Sequence, residues 1–133
     1  VTAAELATAL HAELSRQPPM RASERELQDA IGRALVALAL PAIREAPLTP
    51  QDRVDFLVGS FPLALLPACG VALEVKVGGS LADLTRQLFR YAESPRVLSL
   101  LVVTTRSRHR NLPSTIAGKP LVVLCLSDFS LGF

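Results

Sequence analysis

Leucine recurs every four residues in "TAAELATALHAELS", residues 2–15, where Leu6, Leu10 and Leu14 stand one turn apart and predict a first helix. "RQPPMRA" ends it, because Pro18 and Pro19 cannot continue a helix. A second apolar stripe, Leu27, Ile31, Leu35 and Leu38, follows Ser23, which has Glu26 three residues on in capping-box spacing; Pro41 closes this segment. After a proline-punctuated loop the period changes. Residues 53–58 and 71–77 read as strands, and the joining segment "GSFPLALLPACG" has room for a further short strand at 63–66, which would complete a meander. Ser80, with Asp83 three residues later, starts a third helix whose Leu81, Leu84, Leu88 and Tyr91 keep helical spacing up to Pro95. "VLSLLVVTT", residues 97–105, is apolar on both sides, as suits a central strand covered on two faces. A polar, basic loop then leads to a last strand at 120–126. Helices and strands interleave without strict alternation, which predicts an α/β fold with a mixed β-sheet flanked by helices. The expected organisation is one domain over 1–133, with a helical extension at 1–20 and a core at 22–126.

Composition narrows the function classes without choosing one. Half of the residues are apolar and 20% are charged, a balance suited to a packed core. Fourteen basic against twelve acidic residues leave a formal +2, so affinity for nucleic acid has to come from a local basic surface. Cys69 and Cys125 belong to no CxxC or Cys/His cluster, which argues against a zinc site or a disulfide framework. The longest apolar stretch, residues 61–75, is interrupted by Pro62, Pro67 and Glu74 and is too broken to span a bilayer; with no leader pattern at either end, the expectation is a cytoplasmic protein without membrane contact.

Against this apolar background, "RVDFLVG" and "LEVKV" place Asp55, Glu74 and Lys76 inside strands. Alternation puts Glu74 and Lys76 on one face, with Leu73, Val75 and Val77 on the other, and a meander brings the Asp55 strand alongside. Two adjacent carboxylates repel unless a divalent cation neutralises them. Hard oxygen ligands, few in number, suit Mg²⁺ or Mn²⁺, and an amine beside them completes what phosphodiester hydrolysis requires. The plain alternative is an ordinary strand ion pair, worth about 0 to 1 kcal/mol at a surface.

In their order, "ASERELQDAIGRAL", "RVDFLVG" and "LEVKV" resemble the PD-(D/E)XK nuclease superfamily, which includes type II restriction endonucleases and archaeal Holliday junction resolvases; the similarity covers residues 22–104. Val54 stands where the superfamily's name has proline. The resemblance implies a restriction-endonuclease-like αβββαβ core and hydrolysis of DNA with Mg²⁺ or Mn²⁺. It further implies Asp55, Glu74 and the Val75 carbonyl as metal ligands, Lys76 as the catalytic lysine and Glu24 as the helix glutamate some members use near the metal. Glu24 lies three and seven residues before Leu27 and Ile31, on the inward side, although a glutamate at a helix start also answers to the macrodipole.

The third helix adds Gln87, in "QLFRY", on the side of Leu84, Leu88 and Tyr91. In the nuclease pattern a glutamine here holds the attacking water or a phosphate; as plain structure it is a core amide bonded to a backbone carbonyl. Arg106, Arg108, His109 and Arg110 follow the central strand and are candidate contacts to nucleic-acid phosphates, or simply a solvated basic loop. "VGGS" and "IAGK" do not complete a phosphate-binding P-loop. The expected partner is DNA, with a homodimer or a partner protein supplying specificity. The rival reading is a nucleic-acid-binding or assembly domain that keeps the nuclease fold without catalysis. A small ligand-binding α/β domain is a third.

Overall fold

The computed structural model describes residues 1–17, 23–59 and 69–126. Helix α1 spans Ala3–Leu14 and is closed at its start by a complete capping box, Thr2 with Glu5. Helix α2 spans Glu24–Ala37, where the Ser23 side chain accepts from the Glu26 amide. It stops short of Pro41 because Ala39 adopts a left-handed conformation, φ 54°. Helix α3 spans Leu81–Ala92 under the Ser80 cap, which accepts from the Asp83 amide. Each such cap satisfies an otherwise orphan donor and contributes about 1 kcal/mol. None of the described helices is long and apolar enough to cross a membrane.

Six strands form one mixed sheet: β1 Ala42–Pro47, β2 Arg53–Val58, β3 Gly70–Lys76, β4 Val97–Thr104, β5 Thr115–Ile116 and β6 Lys119–Cys125. Their order is β1-β2-β3-β4-β6-β5. The first three pair antiparallel, β3 with β4 and β4 with β6 pair parallel, and β5 returns antiparallel on β6. The parallel β3–β4 step needs a crossover, which α3 provides.

The sequence pattern places β2, β3, β4 and β6 correctly, but it reads 42–47 as loop where the structure has β1. The cause is position in the sheet. As the outer strand, β1 exposes Arg44, Glu45 and Pro47 and buries only Ala46, so alternation is faint. The meander is therefore β1-β2-β3; the short strand expected at 63–66 falls outside the described residues.

Each face of the sheet carries its own core. On one, Leu6, Leu10 and Leu14 of α1 and Leu27, Ile31 and Leu35 of α2 pack on Phe56, Val58, Val71, Leu73 and Val75. The helix expected as an extension is thus part of the main core. On the other face, Leu84, Leu88 and Tyr91 of α3 cover Leu57, Ala72, Leu100 and Val102. Strand β4 is covered from both sides, and Leu100 to Val103 are fully buried. Glu74 and Lys76 alternate onto the α3 face, where a run of buried apolar residues gives way to charge.

One backbone approach fixes how β2 enters β3. A Cβ built on Gly70 lies 2.0 Å from the Val58 carbonyl oxygen, so no side chain fits there without moving backbone. Gly70→Ala is expected to destabilise the protein by roughly 2 to 4 kcal/mol. Urea denaturation measures this, and a midpoint equal to that of the unaltered chain would contradict the close approach.

Candidate active site

The β2–β3 ladder runs Val58↔Val71, Leu57↔Ala72, Phe56↔Leu73 and stops there. The next facing pair is Asp55 and Glu74, where side chains replace backbone partners. The Asp55 amide donates to Glu74 Oε1 at 3.2 Å, and the Val75 amide donates to Asp55 Oδ2 at 2.8 Å. Each carboxylate thereby caps the amide of the opposite strand. On the other flank of Asp55 the β1–β2 register passes from Arg44↔Phe56 to Ala46↔Val54, and the skipped Glu45 is left-handed, φ 51°. A non-glycine residue there costs about 1 to 2 kcal/mol, so the ladder yields on both sides of the aspartate.

Lys76 reaches back along its strand, with Nζ 3.6 Å from Glu74 Oε2. From α3, Tyr91 arrives at the same oxygen, at 3.2 Å, and donates to the Arg53 carbonyl at 2.8 Å; Gln87 Nε2 donates to the tyrosine oxygen at 2.7 Å. Tyr91 has one proton and two acceptors. The Arg53 carbonyl is the nearer acceptor and Glu74 Oε2 the second. Glu74 is 3% exposed, and burial first, then the charge of Asp55, push its carboxyl up to about 8, against the opposing pull of Lys76. Burial and the Glu74 charge hold the Tyr91 hydroxyl above its ordinary range in turn.

The structure therefore brings Asp55, Glu74, Lys76 and Gln87 together on one face and adds Tyr91 as the node joining three of the elements. The sequence marked Tyr91 only as one of the apolar-side residues of α3, one turn beyond Gln87. Glu24 does not join them: it is half-buried in the first turn of α2, whose apolar side packs on the opposite face of the sheet, and it has no bond to the group. The basic segment becomes a 3₁₀ turn, Ser107–Asn111, with Arg106 just before it; Arg106, Arg108 and Arg110 are exposed.

His109 corrects an expectation. It was a candidate phosphate contact, yet it has no exposed surface. Its ring spans Thr104 Oγ1, 2.6 Å from Nδ1, and the Gly79 carbonyl, 3.2 Å from Nε2. The carbonyl can only accept, so Nε2 carries the proton and Nδ1 accepts from the threonine. Burial, with Arg108, Lys76 and Arg106 nearby, holds its pKa below the usual histidine value, and the ring stays neutral. Thr104, at the end of an apolar strand, is the partner the sequence did not single out.

Among the described residues no three His, Cys, Asp or Glu side chains gather as a metal site. The oxygen donors on offer are the carboxylates of Asp55 and Glu74 and one carbonyl. Residues of an extended strand turn N–H and C=O to the same edge. The Val75 amide faces Asp55 and the Lys76 carbonyl accepts from Thr105, the residue after β4, so the Val75 carbonyl is turned toward the β2 side. A buried acid raised by a neighbouring carboxylate, with a carbonyl turned to the same side, is a donor set that fits a hard divalent cation. In comparisons with known proteins, no family model, no curated protein and no solved structure matches the chain.

Proposed function

We propose that the chain is a metal-dependent nuclease domain that hydrolyses DNA phosphodiester bonds. The observation that carries this is the facing pair: Asp55 and Glu74 hold each other's strands through 2.8 and 3.2 Å bonds, with the Lys76 ammonium 3.6 Å from Glu74. The order α2-β1-β2-β3-α3-β4 supports it, being the αβββαβ sequence of the restriction-endonuclease-like core that the motifs resemble.

Asp55, Glu74 and the Val75 carbonyl would hold Mg²⁺ or Mn²⁺, which when bound supplies Lewis acidity and a lowered pKa for water. The chain's own residues do the rest. Lys76 presents a positive charge where the attacked phosphoryl group gathers negative charge. Gln87 and Tyr91 fix the carboxylate of Glu74 from above, so that its oxygens keep one orientation.

A second reading has its own support. Both carboxylates already satisfy backbone amides, so the pair also works as a lock between diverging strands in a nucleic-acid-binding or assembly domain without catalysis. Titration calorimetry with Mg²⁺ and Mn²⁺, followed by cleavage assays on single-stranded, nicked, duplex and junction DNA, separates the two. Saturable metal binding that Asp55→Asn weakens, with metal-dependent cleavage of at least one DNA form, is the expected result. No binding of either ion would leave only the lock.

A further inference from the structure

We propose that Arg106 and Arg108 form a preset cradle for one backbone phosphate of a DNA strand, beside the Asp55–Glu74–Lys76 group, and that buried His109 is the positioning residue that aims them. This deepens the nucleic-acid reading above and rests on it. Arg106 donates through Nε to the Val77 carbonyl at 2.8 Å, and Arg108 through Nε to the Gly79 carbonyl at 3.1 Å. A guanidinium has five N–H donors in a rigid plane; bonding through Nε uses one and fixes how the plane lies. Among the described residues the terminal nitrogens of both arginines make no hydrogen bond or ion pair, and both side chains belong to exposed residues. Arg16, Arg44, Arg86 and Arg90 differ, each being paired with an acid. Two unneutralised forks, anchored two residues apart on the segment between β3 and α3, offer the paired N–H donors that a phosphate accepts from.

Underneath, His109 is the pin. Its Nε2 bonds the same Gly79 carbonyl that Arg108 uses, and the Thr104 hydroxyl that donates to Nδ1 also accepts from the Arg106 amide at 3.0 Å. One neutral ring thus ties both arginines to the β3–α3 turn without adding a charge. Lys76 and Thr104 are partners in the β3–β4 register, and the Thr105 amide donates to the Lys76 carbonyl at 3.1 Å. The cradle and the amine therefore stand at the same ends of these two strands, so a DNA strand seated in the first passes close to the second.

The test is binding of a labelled DNA duplex against salt concentration, by fluorescence anisotropy and without divalent metal. It uses the unaltered chain, the double variant Arg106→Gln/Arg108→Gln, His109→Leu and His109→Gln, with cleavage in Mg²⁺ or Mn²⁺ measured on the same samples. For a folded double variant, the slope of log K against log salt becomes shallower by about 0.9, the value of one phosphate. His109→Leu flattens it likewise, and His109→Gln, which keeps a donor for Gly79, recovers part of the loss; Thr104→Val replaces His109→Leu if the latter does not fold. An unchanged slope in the double variant overturns the cradle, as does an unaltered chain that binds no DNA. An unchanged slope in His109→Leu or Thr104→Val overturns the positioning role. Cleavage answers separately: the expected slopes with no cleavage by the unaltered chain would uphold the cradle and remove the nuclease reading.

Discussion

If the chain is the proposed nuclease, Lys76→Ala is expected to lower metal-dependent DNA cleavage by about 10²- to 10³-fold, the usual cost of removing one preorganised charge at a reacting centre, and Asp55→Asn to lower it at least as far. The two substitutions probe different parts. Lys76 keeps 23% of its side chain exposed and meets Glu74 at 3.6 Å, so the alanine variant loses a partly solvated contact and folds normally. Asparagine is nearly isosteric with Asp55, and its amide oxygen can still accept from the Val75 amide, so the strands stay locked while the charge is gone. Initial rates on one DNA substrate, with thermal unfolding of each variant as control, make the measurement. Rates equal to those of the unaltered chain in both variants would remove these residues from the chemistry.

Glu74 is expected to cost the metal-free protein stability as pH rises from about 4.5 to about 8, and Glu74→Gln to remove that share, leaving the opposite slope that His109 adds below its ordinary pKa. The sign follows from linkage. The carboxyl of Glu74 is raised in the folded state, so the folded chain binds this proton more tightly than the unfolded chain does. Its contribution is fully present below pH 4.5 and is lost as pH climbs through about 8. Several kcal/mol are at stake, since the group is almost wholly buried. Glutamine presents an oxygen to the Asp55 amide and an NH₂ to Tyr91, with no charge to desolvate. Urea unfolding at pH 5 and pH 9, without divalent ions, is the measurement. Glu74→Gln should be the more stable protein at pH 9 and an inactive nuclease at any pH, and a flat profile for the unaltered chain would show that the acid is not held protonated.

Much of this architecture was legible as period. Leu6, Leu10 and Leu14, or Leu27, Ile31 and Leu35, state a helix and its buried side together, and β4 is an unbroken apolar run because helices cover it twice. Strand β1 was not legible, since an outer strand that buries only Ala46 has no pattern to read. For the site, the sequence could say that Asp55 and Glu74 lie in strands and that Glu74 shares a side with Lys76. It could not say that Asp55 faces Glu74, because that register depends on the path between residues 59 and 70. Glu24 looked inward by helical phase, and it does, but inward for α2 is the far side of the sheet. His109 shows the opposite failure: among arginines it resembled a solvent-facing base, and only the fold of the turn reveals that it is the one member turned under to Thr104 and Gly79.

The kinked outer strand has a consequence beyond the site it flanks. Any sheet rim with a regular row of unpaired amides invites the strand of another molecule to add to it. Here Pro47 has no amide hydrogen to offer and left-handed Glu45 turns the rim out of line, while β5 at the far side is only two residues long. The same bend that frees Asp55 from its neighbour also leaves the β1 rim a poor template for lateral growth in a chain that is half apolar.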